Sequence, residues 1–417
     1  MPPRAASALS PSSCTSAPAA GMPPAQVVLA LALLLGIQPV TTDLYLPALP
    51  ALTASLGARM AHAQLTLSAL LLAFGSSQLI LGPLSDRFGR RPVLLWGLAG
   101  YTVASVGGAA APSIEVLIVW RTLQGAAMGA AVMTGRAIVR DLYHPAEGAR
   151  VMSRALTGLG IIACLCAPVG GLVSDLFGWR FALLVPTVFA AATLALIALR
   201  LQETLPARNL HALRIGGLAA TWSTVLRNPT FIAFGALTTA SYGMLFTFLA
   251  TSSFVFIQVL GLTKTQYGLV MLWSSLAYIA GTFLCRVWLP RHGVRGSVAR
   301  AAGLSLAGGS GVGLLALAGA HSVPAIMVPL TLVMLGHGVH QPCGQSGAVG
   351  PFPNAAGAAS ALNGFVMMLV AFGIGGWVGA RMDGTVMPLA LGIWFWCACI
   401  ALVAWTLVRR HGAAHGH

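Results

Sequence analysis

Acidic residues and lysine are scarce in this sequence. Its 417 residues include 8 Asp and Glu, and 7% of the chain is charged while 57% is hydrophobic. A water-soluble surface of this size needs more charge, so an ordinary soluble domain is excluded. The one lysine, Lys264, follows Thr263, which leaves no Gly-Lys phosphate loop and argues against an ATP-driven pump. Neither His-Glu-x-x-His nor Gly-x-Ser-x-Gly occurs, which argues against a membrane hydrolase.

Long apolar runs fill most of the chain and predict an all-α membrane protein. A helix needs roughly 20 apolar residues to cross the hydrocarbon core. By that measure the sequence holds twelve candidate spans in two groups of six. They begin near Val27, Gln64, Val93, Ile114, Met152 and Phe181, and near Phe231, Gln266, Val298, Pro324, Gly357 and Met387.

Arginine clusters between the runs supply most of the formal charge of +15. If the turn at Asp86 is cytoplasmic, the loops and tails on that side hold about eighteen Arg. The opposite loops hold only Arg59, Arg180, Lys264 and Arg381. This asymmetry predicts a multi-pass protein with both termini in the cytoplasm and in contact with lipid, rather than a nucleic-acid partner.

The spans divide the chain into two halves. Residues 1–25, rich in Ala, Pro and Ser, are expected to form a disordered cytoplasmic tail; a cleaved signal peptide is the alternative. Residues 26–201 and 229–408 are expected to form two six-helix bundles, joined by a cytoplasmic linker at 202–228 and followed by a tail at 409–417. In the linker, an interfacial helix is suggested by Leu210, Leu213, Leu218, Trp222 and Val225.

A charged turn follows the second span and reads Gly82-Pro-Leu-Ser-Asp86-Arg87-Phe-Gly89-Arg90-Arg91. The turn Leu289–Arg295 in the second half is a weaker copy, which favours an internal duplication. The first turn resembles the loop 2–3 signature of the major facilitator superfamily.

Further segments carry the same resemblance. Arg121-Thr-Leu-Gln124-Gly125 is similar to the family's span 4 signature, and Ala167-Pro168-Val-Gly170-Gly171 to its antiporter signature. With the segments Thr42–Pro50 and Arg136–Asp141, the chain resembles the Bcr/CflA branch of drug:proton antiporters.

The resemblance implies the major facilitator fold, with twelve transmembrane helices in two pseudo-symmetric halves. It implies a monomeric multidrug transporter of the bacterial inner membrane, with no enzymatic activity, cofactor or metal. Such a protein exports small amphipathic antibiotics, phenicol-like or bicyclomycin-like, in exchange for protons by alternating access. The alternative is a proton-coupled exporter of a metabolite such as an amino acid or a sugar.

The charged turn is expected to act as a cytoplasmic gate. Asp86 would lie against the N-terminus of a neighbouring helix, which the resemblance identifies as span 11. Arg90 would pair with Asp141 and lock the two halves together. The alternative is that these residues only set the topology. The predicted gate comprises Gly82, Asp86, Arg87, Gly89, Arg90, Arg91 and Asp141.

Proton coupling is expected to rest on Asp43. The apolar stretch Val27 to Val40 has only fourteen residues, so the first span must continue to about Leu49 and place Asp43 inside the membrane. An acid there costs about 2.5–3.5 kcal/mol on insertion and usually faces a cavity. Arg121 lies at a similar depth and is expected to face Asp43 and oppose its protonation. Alternatively, Arg121 braces span 4 through backbone carbonyls.

Aromatic and amide side chains in both halves suit an adaptable substrate site. His337 and His340 are three residues apart and so share a helix face; they are a second proton site or bond a neighbouring helix. The antiporter-like residues Pro168, Gly170 and Gly171 are expected to bend span 5 and permit close packing. The predicted substrate-binding residues are Tyr45, Phe74, Gln78, Gln124, Tyr242, Phe246, His337 and His340, with Phe248 nearby.

Overall fold

The structure is a computed structural model, and it describes residues 22–143, 145–205 and 215–412. Most of the predicted tail at 1–25, the end of the tail at 409–417, and Leu210 and Leu213 of the linker lie outside these ranges.

Six spans form the first half. The first span is the broken unit α1 and α2, joined through a short 3-10 turn at Leu46–Ala48. The helices are α1 (Pro24–Thr42), α2 (Leu49–Ser55), α3 (Met60–Phe88), α4 (Arg90–Ala109), α5 (Ile114–Leu142), α6 (Pro145–Leu176) and α7 (Trp179–Arg200).

The second half follows a linker helix, α8 (Ile215–Arg227), which occupies the segment predicted to be helical. Its helices are α9 (Pro229–Ser253), α10 (Lys264–Leu317), α11 (Val323–Val349), α12 (Ala356–Arg381), α13 (Met387–Val403) and the short α14 (Arg409–His411). The helices α9 and α13 each continue into a π-helical segment, at Phe254–Val259 and Ala404–Val408.

Eleven helical stretches of the described residues are long and apolar enough to cross a membrane. One of them, α10, has 54 residues and is interrupted at Gly293, whose φ of 63° and ψ of −179° are not helical. Glycine alone adopts such a conformation without strain. The interruption divides α10 into two spans, so the prediction of twelve transmembrane helices in two halves is confirmed.

Polar side chains fix where several helices begin. Asn228 accepts hydrogen bonds from the backbone N–H groups of Thr230 and Phe231 at the start of α9. Thr263 and Gln266 form a reciprocal capping box at the start of α10. These bonds satisfy N–H groups that have no partner within the helix.

The first span is broken beside Asp43. Helix α1 contains Pro39 and ends at Thr42, and the chain resumes as a 3-10 turn beginning at Leu46. The span continues past Val40 as the sequence predicts, but the helix has an irregular step at residues 43–45. Asp43 itself keeps helical backbone angles, with φ −81° and ψ −34°, and donates its N–H to the Pro39 carbonyl at 2.8 Å.

Glycine allows the helices to touch through their backbones. A side chain added at Gly125 of α5 would overlap the backbone of Leu70 in α3, and one at Gly170 of α6 would overlap the carbonyl of Leu44. Small residues at such crossings replace the hydrophobic drive that helices lack in lipid. The two halves meet elsewhere, where α3 packs on α12 and α6 packs on α10.

We expect Gly125→Ala to lower the thermal stability of the purified protein, because overpacking against backbone costs roughly 1–3 kcal/mol. The matched control is Gly160→Ala in α6, where the added methyl group meets nothing within 4 Å. Since alanine favours a helix over glycine, this control should be neutral or slightly stabilising. Tryptophan-fluorescence melting in detergent measures both. Equal melting temperatures for the two variants would contradict the packing assigned to Gly125.

Candidate functional site

Asp43 lies at the break in the first span and faces both halves of the protein. Its carboxylate is half-buried and accepts a hydrogen bond of 2.8 Å from the Thr42 hydroxyl. Its charge acts on Cys166 of α6, Tyr242 of α9 and Tyr267 of α10. The carboxylate therefore sits where the two halves meet, among one thiol and two phenols.

Arg121 is buried within the first half, with 1% of its surface exposed. It donates hydrogen bonds to the Gln124 side chain at 2.8 Å and to the Thr41 carbonyl at 3.0 Å. Its guanidinium also lies over the Tyr45 ring, 4.3 Å from the ring centre. Arg121 thereby ties α5 to the end of α1.

The structure does not bring Arg121 and Asp43 into contact. Among the described residues no ion pair joins them, and the electrostatic partners of Arg121 are Tyr45 and Tyr101. The expected face-to-face pairing is corrected in this respect, because the guanidinium bonds the Thr41 carbonyl and the Gln124 side chain, while the carboxylate accepts from the Thr42 hydroxyl. Arg121 instead bonds a backbone carbonyl, as the alternative interpretation anticipated, although that carbonyl belongs to α1.

A buried polar network surrounds Arg121. Gln124 also donates to Ser105 at 2.6 Å, and the hydroxyl groups of Thr41 and Tyr101 form a hydrogen bond. Tyr45 bonds Thr66 through its hydroxyl at 2.7 Å. Two predicted substrate-binding residues, Tyr45 and Gln124, are thus committed to the interior of the first half in this conformation.

The other predicted substrate-binding residues of α3 and α9 lie along the contact between the halves. Gln78 approaches Gly364 of α12, and Phe246 approaches Gly375 of the same helix. Phe74 is 3% exposed and Phe248 is fully buried, whereas Tyr242 retains 9% exposure. Of this group, Tyr242 is the one on which the charge of Asp43 acts.

His337 and His340 lie on α11 but have different surroundings. His337 shares a hydrogen bond of 2.8 Å with Ser241 of α9, and its ring packs at a tilt against that of Tyr278, with ring centres 5.3 Å apart. His340 is fully buried near the backbone of Val298, and neither of its ring nitrogens makes a well-formed hydrogen bond. The bond from His337 to a neighbouring helix matches the alternative role considered for it, and proton transfer by either residue stays a prediction.

The charged turn forms a network inside the first half. Arg90 bonds Asp141 at 2.8 Å, Asp86 at 2.5 Å and the Ser85 hydroxyl at 2.6 Å. These residues belong to α3, α4 and α5, so the predicted pair of Arg90 and Asp141 forms but does not lock the two halves together. Asp86 forms an ion pair with Arg90, and its expected position against the start of span 11 stays a prediction.

The remaining residues of the predicted gate surround this network. Gly89, with a φ of 111°, makes the turn from α3 into α4, and Gly82 lies near Met133 of α5. Arg87 is exposed over the Phe88 ring. Arg91 donates to the carbonyls of Leu201 and Ala198 at 2.7 and 2.9 Å and so joins the turn to the end of α7.

Glu203 is a member of this network that the sequence interpretation missed. Its carboxylate accepts the backbone N–H groups of Arg90 at 2.9 Å and Arg91 at 3.2 Å, at the positive end of α4. It also accepts the N–H groups of Thr204 and Leu205. The signal in the sequence was an isolated acid directly after a span.

Asp175 is a second missed residue, and it joins the halves at the end opposite the charged turn. It accepts hydrogen bonds from the backbone N–H and the hydroxyl of Thr265 at 2.9 and 2.7 Å. Lys264 lies 3.7 Å from the same carboxylate and donates to the Ser174 carbonyl at 3.0 Å. We call Ser174, Asp175, Lys264 and Thr265 the α6–α10 clasp.

The antiporter-like segment positions this clasp. A side chain at Gly171 would overlap the carbonyl of Lys264, and one at Gly268 would overlap the backbone of Pro168. Gly170 and Gly171 therefore lie at close approaches of α6 to neighbouring segments, which is the arrangement that the sequence predicts for them. Nearby, Gln64 of α3 donates to the Ala250 carbonyl of α9 at 2.6 Å, which adds a second connection between the halves.

Asp383 lies in the loop between α12 and α13, as the sequence predicts. Hydrogen bonds from the hydroxyl and the backbone N–H of Thr385, at 2.7 and 3.0 Å, lower the pKa of its carboxyl. An acid held ionised in a loop is a poor proton carrier, which leaves Asp43 as the acid of interest.

Comparison with known proteins gives one consistent match. The sequence model of the Major Facilitator Superfamily matches residues 31–376. The chain is 30% identical to the "Chloramphenicol resistance protein" of Pseudomonas aeruginosa, over 77% of this chain and 75% of that protein. It is 28% identical to "Multidrug resistance protein D" of Escherichia coli strain K12, over 81% and 84% of the two chains.

Solved structures match over nearly the whole fold. The xylose transporter XylE from E. coli, solved in a partially occluded inward open conformation, superimposes with a TM-score of 0.72 at 14% identity. The match covers 94% of this chain and 99% of that protein. At this identity the likeness concerns the fold alone.

We expect Glu203→Ala to destabilise the protein, because it removes the acceptor for two N–H groups at the start of α4. Hydrogen bonds to a charged group contribute about 1.5–3 kcal/mol. Glu147→Ala is the matched control, since Glu147 is an exposed acid in the first turn of α6. Thermal melting in detergent compares them. If Glu203→Ala melts no lower than Glu147→Ala, the capping role is wrong.

Proposed function

The chain belongs to the Major Facilitator Superfamily, and on that basis we propose that it is a proton-coupled multidrug efflux transporter working by alternating access. Its proposed substrates are small amphipathic antibiotics of the phenicol or bicyclomycin type. The names of the two bacterial relatives support drug export, and we assign the chain to the Bcr/CflA branch as part of the proposal.

The observation that carries the proposal is the position of Asp43. Of the eight acidic residues in the chain, seven lie at helix ends or in loops: Asp86, Glu115, Asp141, Glu147, Asp175, Glu203 and Asp383. Asp43 lies within a span and between the halves. A carboxylate in this position can take up a proton from one side and release it to the other as access alternates.

Arg121 has a positioning role in this proposal. By holding the Thr41 carbonyl and the Tyr45 ring, it fixes the residues on both sides of Asp43. Substrate that moves Tyr242 or the broken segment would then alter the surroundings of the carboxylate and promote release of its proton. Such competition between proton and drug couples the two fluxes.

The orientation follows from the arginine distribution. We place the charged turn at Asp86 and both termini in the cytoplasm of a bacterium, with the protein a monomer in the inner membrane. The α6–α10 clasp then faces the periplasm, and its closure corresponds to a conformation sealed on that side. In this scheme the network of Arg90 stiffens the cytoplasmic end of one half, and no cofactor is needed because the proton gradient drives transport.

A metabolite exporter is the competing function, and amide groups in the second half favour it. Gln341 donates to the Thr238 carbonyl, and Asn363 accepts from the Thr238 hydroxyl at 3.0 Å. Such groups suit a solute rich in hydroxyl or amide groups, such as a sugar or an amino acid.

The proposed function is tested by Asp43→Asn, with Asp383→Asn as the matched control. In a pump-deleted bacterium, wild type and the control should raise resistance to chloramphenicol or bicyclomycin, and Asp43→Asn should not. In everted vesicles, adding the drug should dissipate a preformed pH gradient with wild type and the control only. A drug-dependent proton flux retained by Asp43→Asn would rule out Asp43 as the carrier. If no drug in the panel had an effect, and amino acids or sugars drove the proton flux instead, the metabolite exporter would be favoured.

Opening of the clasp is tested by Asp175→Asn. Loss of the ionised acceptor should weaken the closed state by about 1 kcal/mol, which is roughly a fivefold shift toward the open state. Spin labels at Leu176 and Gln258, in a variant without native cysteines, report the distance between the halves. The control is Glu115→Gln, whose exposed side chain interacts with Ser113 and His62 of the same half. Identical distance distributions for Asp175→Asn and the control would show that the clasp does not hold this end closed.

A further inference from the structure

Two cysteines meet where α10 and α11 cross. The thiol sulfurs of Cys285 and Cys343 are 3.6 Å apart, and the residues are 6% and 3% exposed. Two other pairs of cysteines lie two residues apart on their helices, Cys164 with Cys166 and Cys397 with Cys399, and this spacing points their side chains to different faces. Neither of those pairs forms a thiol contact among the described residues.

Glycine contacts explain why these thiols touch. The first part of α10 and helix α11 run in the same direction, and Gly281 lies against Leu335 and Gly338 of α11. A side chain at Gly281 or Gly338 would overlap the backbone of the partner helix. Cys285 follows Gly281 by one helical turn and so lies on the same face. The short thiol side chains therefore meet just beyond the closest approach of the helices.

The separation of the sulfurs suits a bridging atom. Two metal–sulfur bonds of 2.3 Å at a tetrahedral angle span about 3.8 Å. A linear bridge with the same bonds would need about 4.6 Å, and a disulfide about 2.05 Å. The observed 3.6 Å is closer to the bent bridge than to the linear bridge or the disulfide.

The surroundings restrict the kind of atom. No group of three His, Cys, Asp or Glu side chains in the described chain could hold a metal ion. A four-coordinate zinc ion would therefore lack protein ligands here. A trivalent arsenic atom that carries an organic substituent needs two sulfurs and no further protein ligand. Soft thiolates also favour soft, thiophilic elements.

We propose that Cys285 and Cys343 form a dithiol site that binds trivalent organoarsenicals. In the reaction with an arsenoxide, two S–H bonds break and two arsenic–sulfur bonds form. The oxygen leaves as water with the two thiol protons, and arsenic stays trivalent. Arg286 follows Cys285 directly in the chain. The bridge joins two helices of the same half.

The test uses the full-length protein in detergent with phenylarsine oxide as the probe. Native mass spectrometry should show one phenylarsenic group bound to wild type and to the control Cys397→Ala/Cys399→Ala, reversed by dithiothreitol but not by a monothiol. Cys285→Ser and Cys343→Ser should each lose this dithiol-specific binding.

Peptide mapping of arsenic-treated wild type, digested at low pH, locates the bridge without reliance on any variant. The expected result is arsenic joining the peptides that contain Cys285 and Cys343. No bound arsenic, arsenic on other cysteines, or dithiol-specific binding retained by either serine variant would overturn the proposal.

Discussion

Direct contact between helix backbones is the constraint on which this fold depends. Apolar helices gain little from meeting one another in lipid, so their association relies on close packing and a few polar bonds. Glycine supplies that packing at Gly125, Gly170, Gly171 and Gly281, each of which faces the backbone of a neighbouring helix. Two of these four glycines bring α6 against the broken first span and against the start of α10. The site around Asp43 therefore exists because the helices around it can approach so closely.

The scarcity of charge gives each charged residue a defined place. Arg121 is buried without a carboxylate partner and is stabilised by a carbonyl, an amide and an aromatic ring. Removing a guanidinium from water is costly, and such a set of partners offsets part of that cost. Asp43 is held apart from it, with a threonine as its hydrogen-bond donor. The positive charge of Arg121 is thus bonded within the first half, whereas the negative charge of Asp43 lies at the boundary between the halves.

The sequence predicted the spans, the two halves and the family, because hydropathy and short motifs are local signals. It also predicted that Arg90 and Asp141 meet, but placed the contact between the halves when it lies within one. Spacing along the chain does not show which helices pack together. The contacts of Glu203, of Asp175 and of the pair Cys285 and Cys343 were therefore not predicted. The break at residues 43–45 was equally hidden, although Pro39 and Pro47 lie on either side of it.

The two turns that the sequence relates as copies, at Gly89 and at Gly293, differ in how firmly they are held. The turn at Gly89 is held by Glu203 and by the ion pairs of Arg90, whereas at Gly293 the side chains of Arg291 and Arg295 are exposed and make no bond among the described residues. Chain insertions are tolerated where backbone and side chains are free of such bonds. The turn at Gly293 is therefore the natural position for an inserted epitope or fluorescent reporter, while the same insertion at Gly89 would disrupt the bonds that join four helices.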